Sequence, residues 1–142
     1  MKNKIIIAIA CLLAFYTMGC KPDYFAAMAA KIEEQVGEAL NNYDNVVIVP
    51  GSSCSSCISE AETFFVKNIE NDRIKFVLTQ IASRKEMAIR LGKENIGKEN
   101  VLIDEKKVFY LLGYHDKIYP VVAFVDNGKV VHVQLLSNFN PQ

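Results

Sequence analysis

The chain has 142 residues, half of them apolar, and its sixteen basic residues balance sixteen acidic ones. That length and apolar content fit one domain around one core. The balance excludes the basic field that a nucleic-acid surface or a polybasic membrane patch requires.

The first predicted element is a targeting segment. Lys2 and Lys4 precede twelve uninterrupted apolar residues, Ile5 to Tyr16. This is a secretory signal, because a spanning helix needs roughly 20 apolar residues. Thr17-Met18-Gly19-Cys20 follows. A small residue directly before a cysteine at this point resembles the lipobox of bacterial lipoproteins, with Thr17 where that family usually has an aliphatic residue. The resemblance implies a signal peptide over 1–19, acylation of Cys20 and a lipid-anchored, extracytoplasmic place in the cell envelope, on the periplasmic side or the cell surface. The alternative is an ordinary signal peptide with an incidental cysteine. Cleavage removes two lysines and no acid, so the mature chain carries a net charge of about −2,.

Phe25, Met28, Ala29, Ile32, Val36, Ala39, Leu40 and Tyr43 recur at three- and four-residue steps. That period predicts an amphipathic helix over 23–43. Val46–Val49 reads as a buried strand, and Pro50-Gly51-Ser52-Ser53 as the turn into a helix marked by Cys57, Ala61, Phe64, Phe65 and Ile69,. Ile74–Thr79 is a strand rich in β-branched and aromatic residues. Ser83 with Glu86 forms a capping box for a third helix, and Gly92 is placed to end it. Asn100–Ile103 is a short strand, and Val108–Leu112 suits strand or helix equally. Val121–Val125 and Lys129–Leu136 flank Asp126-Asn127-Gly128, a tight hairpin signal,. Helices alternating with strands and ending in an antiparallel hairpin predict an α/β fold with a mixed sheet.

The chemistry concentrates at Cys54-Ser55-Ser56-Cys57. Two cysteines three residues apart at a helix start can close a disulfide and open it again. The unpaired N–H groups and dipole of a helix N-terminus favour the thiolate there. Of four cysteines, Cys11 leaves with the signal and Cys20 takes lipid, so Cys54 and Cys57 remain as thiols. A bridge closing so short a loop removes little chain entropy, so its use is chemical rather than structural.

A strand, a CxxC at a helix start, a βα unit and then Tyr119-Pro120-Val121-Val122-Ala123-Phe124-Val125-Asp126-Asn127-Gly128-Lys129-Val130-Val131 resemble the thioredoxin fold. The stretch Asn95 to Tyr119 looks like the extra strand and helix of TlpA-type and peroxiredoxin-like members, which are commonly membrane-tethered and extracytoplasmic. The resemblance implies a three-layer thioredoxin-like domain over 46–137, preceded by a lipid-anchored N-terminus and helix over 20–45. It makes Pro120 a cis proline facing the CxxC, with the Tyr119 backbone aligning a substrate strand. No sequence is left for the family's final helix, so the face beside the CxxC helix needs another cover. The aromatic residue that usually precedes the motif is also absent.

The function this implies is thiol–disulfide exchange on protein thiols and disulfides, with Cys54 as nucleophile and Cys57 resolving. An unidentified redox partner would recharge the pair, and no bound cofactor is needed. Two alternatives stay open: a non-catalytic thioredoxin-fold binding module with a persistent bridge, and a metal-delivery protein. Metal capture needs a third ligand beside the thiolates, and His115 and His132 are the chain's imidazoles,. His132 reads instead as a partly buried strand histidine, and no metal site is assigned.

Overall fold

The computed structural model describes residues 23–52, 55–110 and 119–139, with the backbone alone for 55–57. The signal segment, Cys20 and Cys54 lie outside the described residues, as does His115.

Five strands make one mixed sheet. β1 (Asn45–Pro50) is central, with β2 (Ile74–Thr79) parallel beside it and the short β3 (Val101–Ile103) parallel beyond that. On its other side β4 (Val121–Asp126) runs antiparallel, and β5 (Lys129–Leu135) pairs antiparallel with β4 at the far edge. Register matches Val47 with Phe76 and Ile48 with Val121. Asn127 (φ 49°) and Gly128 (φ 72°) both take the left-handed conformation that a two-residue primed turn requires,.

The unbroken apolar run of β1 follows from burial on both faces. Val46 and Ile48 join Val77, Val121, Ala123 and Val133 on one face. Val47 and Val49 join Phe76, Leu78 and Val122 on the other. Helix α1 (Tyr24–Val36) covers the first face through Met28 and Ile32, both fully buried. Helices α2 (Ser55–Asn68) and α3 (Arg84–Leu91) cover the second through Ala61, Phe65, Met87 and Leu91. The result is a mixed α/β fold in three layers.

The expected helix over 23–43 divides at Gly37, whose φ of +60° is a conformation that an α-helix cannot contain,. A 3-10 turn, Gly37–Asn42, carries Leu40 back to the core. Glu33 docks α1 on the sheet edge, its carboxylate accepting from Val130 N–H at 2.9 Å. The α3 cap is as expected: the Ser83 hydroxyl accepts from Glu86 N–H at 3.2 Å, and Gly92 ends the helix at φ +92°. Residues 108–110 are neither strand nor helix but turns held by a buried side chain described below, while 111 and 112 lie outside the described residues.

The face beside α2 is closed by the segment after β5. A 3-10 turn, Leu136–Asn138, buries Leu136 and brings Phe139 against Phe64 (5.7 Å between ring centres) and Phe124 (5.6 Å). These edge-on contacts stand where a final helix was expected to be missed, so α1 is free to take the opposite face.

Candidate functional site

The site is the end of the sheet where β1 and β2 run out and β4 begins. β1 feeds α2 with four residues between them, and Cys57 is the third residue of α2. In sequence, Cys54 is the residue immediately before that helix. Pro50 and Gly51 lead into it. Gly51 N–H donates to Thr79 O at 2.7 Å, which extends the β1–β2 ladder by one step. A Cβ on Gly51 would stand 2.9 Å from the Gln80 carbonyl oxygen, so this close approach requires glycine,.

Gln80 opposes it with φ of 53°. A bulky residue in that region costs about 1–3 kcal/mol and persists when the surroundings over-determine it. Here the surroundings are specific: the Ser52 hydroxyl donates to the Gln80 side-chain oxygen at 2.9 Å. The loop after β2 thus clasps the loop that carries the CxxC. Gly51→Ala is expected to lose about 1–3 kcal/mol, the usual cost of overpacking, because the atom it meets is backbone. Urea unfolding checks this; an unchanged midpoint would show that the two loops separate freely.

Asp104 organises the same end. Thr79 and Asp104 are the buried polar side chains among the described residues. The Thr79 hydroxyl donates to Asp104 Oδ2 at 2.7 Å, Val108 N–H to Oδ1 at 3.0 Å and Phe109 N–H to Oδ2 at 3.2 Å. One carboxylate therefore joins the end of β2 to the turns after β3 and seats Phe109, which is fully buried against α1's face. Sequence reasoning passed over this residue, and nothing local to it signals the role.

Tyr119 and Pro120 open β4 at this end. Tyr119 is exposed and Pro120 buried, and the Pro120 carbonyl accepts from Leu136 N–H at 3.0 Å. No peptide bond among the described residues is cis, so Tyr119–Pro120 is trans. This corrects the cis proline implied by resemblance. Burial pushes the Tyr24 phenol, at the start of α1, up from its ordinary value, offset in part by the neighbouring Tyr119 backbone. His132 is also corrected: it is exposed on β5, its ring 5.7 Å from that of Phe124.

A small cavity of about 70 Å³ lies under the Pro50–Gly51 turn, between α2 and α3, with Leu78, Met87 and Leu91 in its walls. The Arg90–Glu62 ion pair, 3.2 Å, stands at its rim. A larger concavity of about 630 Å³ lies at the opposite end of the sheet. Its cations are engaged with neighbours, Arg73 with Asp44 and Lys98 with Glu70. Among the described residues no group of three His, Cys, Asp or Glu side chains is placed to hold a metal ion, and no helix is long and apolar enough to cross a membrane. No family model, curated protein or solved structure matches this chain.

Proposed function

We propose that this chain is a lipid-anchored, extracytoplasmic thiol–disulfide oxidoreductase with a thioredoxin-like domain. The observation that carries the reading is the place of the CxxC. It spans the junction between a central parallel strand and the start of a 14-residue helix. A βαβ unit followed by an antiparallel hairpin, with Pro120 opening the hairpin beside β1, supports it further.

In the reaction, the Cys54 thiolate attacks one sulfur of a substrate disulfide. That S–S bond breaks, one substrate thiol leaves, and a mixed disulfide remains on Cys54. The Cys57 thiolate then attacks Cys54 Sγ and releases the second substrate thiol. Two electrons pass to the substrate and the protein is left with a Cys54–Cys57 bridge. An external dithiol must reduce it again, or the sequence runs in reverse when the bridge oxidises a substrate. The α2 N-terminus supplies the partial positive charge that favours a thiolate at the motif.

The trans geometry at Pro120 favours a second reading, a non-catalytic binding module whose bridge persists. The two separate by measurement. In the Cys57→Ser protein, alkylation rate against pH is expected to show a Cys54 midpoint below the free value of about 8.5. The wild-type bridge is expected to have a potential above about −300 mV, the upper bound for structural disulfides. A midpoint at or above the free value with a lower potential would establish the binding module instead.

A further inference from the structure

The start of α1 lies at the same end of the sheet as the CxxC. Phe25 and Ala26 line one concavity with His132 and Val133 of β5. β5 ends at Leu135, the partner of Val121, which in turn pairs with Ile48 near the C-terminal end of β1. From there α1 runs to the other end, where Glu33 reaches Val130 and Lys129. The acylated residue of the reading above, Cys20, is four residues before Tyr24. Four residues reach at most about 14 Å. A six-residue β1 at about 3.3 Å per residue makes the sheet about 20 Å long,. The tether is therefore too short to let the far end of the sheet rest on the bilayer.

The chemistry of the two ends agrees with the reach. Beside the tether stand Phe25, half-buried, and Tyr119, 44% exposed, residues of the kind that settle at a lipid–water boundary,. Exposed Lys106 and Lys107 follow β3 at that end, and the two lysines suit anionic headgroups,. Beside them stand exposed Glu105, already paired with Arg84, and exposed Asp23 before α1. The opposite end presents Asp72, Glu99 and Asp126, and its Arg73, Lys98 and exposed Lys129 are each beside a carboxylate.

We infer that the anchored domain stands with its CxxC end against the membrane, Tyr119 and Phe25 meeting the lipid interface. This rests on acylation of Cys20, and it directs the thiol pair to disulfides presented at the membrane surface.

The chain has no tryptophan, so a single introduced indole reports its own depth. Acylated Tyr119→Trp and Lys129→Trp proteins, both changed at exposed positions, are reconstituted in phosphatidylethanolamine–phosphatidylglycerol vesicles carrying acyl-brominated lipid. Bromine is expected to quench the Tyr119→Trp protein at least twofold more strongly. A long Gly/Ser insertion after Lys21 is expected to erase the difference, since such a linker's reach grows to exceed the length of the sheet. Equal quenching without the insertion, in protein that floats with the vesicles, overturns the orientation alone. Wild-type protein that fails to float, as Cys20→Ala should, overturns the anchor and the orientation together.

Discussion

Phe65→Ala is expected to lower the unfolding free energy by about 3–5 kcal/mol, the range for emptying a fully buried aromatic site. Phe65 is fully buried at the centre of α2's inner face. It meets Phe76 of β2 edge-on at 4.9 Å, a pairing worth roughly 0.5–1.5 kcal/mol beyond its area,. Ala61 and Phe64 of the same helix join it in that core, and α2 carries Cys57. Against a net stability of about 5–15 kcal/mol for a domain, this single loss takes a large share. Phe65→Leu, which keeps most of the volume, should lose much less. Urea unfolding of both variants at unchanged slope measures it. A loss below about 1 kcal/mol for the alanine variant would mean that the α2–β2 packing described above does not hold the layer together.

Where local chemistry decides an element, the sequence was enough to read it. Asn127-Gly128 forces a tight hairpin, Ser83 and Glu86 start α3, and Gly92 stops it. The unbroken apolar run Val46–Val49 likewise announced a buried strand,. Apart from the break at Gly37, the readings that failed turn on something non-local. The apolar period continues through Ala39, Leu40 and Tyr43, which hid the break at Gly37, although a glycine in a helical pattern is a recognised stop signal. His132 faces solvent because β5 is an edge strand whose register slips at Phe124 and Val125. Phe139 fills the part of the second face that α2 and α3 leave open, and its partners Phe64 and Phe124 are distant in sequence. The candidate site divides in the same way. The CxxC was legible as a motif, and its place between β1 and α2 as a pattern. The clasp of Gly51 by Gln80 depends on which strands are neighbours.

Asp104→Ala is expected to lose about 3 kcal/mol or more and to loosen the CxxC end before the rest. The substitution leaves the Thr79 hydroxyl and the Val108 and Phe109 amides without their acceptor, and each buried donor so stranded costs about 1–3 kcal/mol,. Asp104→Asn keeps one accepting oxygen but turns an NH₂ toward the donors. Thr79 can adapt by rotating its hydroxyl and accepting, whereas a backbone amide cannot, so an intermediate loss is expected. The turns that Asp104 holds pass directly into the chain leading to Tyr119 and Pro120, so the damage should be local first. Amide exchange separates this from a general weakening: Val108 and Phe109 should lose protection in Asp104→Ala while Val47 and Val122, at the centre of the sheet, keep most of theirs. Uniform loss across all four amides would show that Asp104 serves global stability alone. Unchanged exchange at Val108 and Phe109 would show that the turns after β3 stand without it.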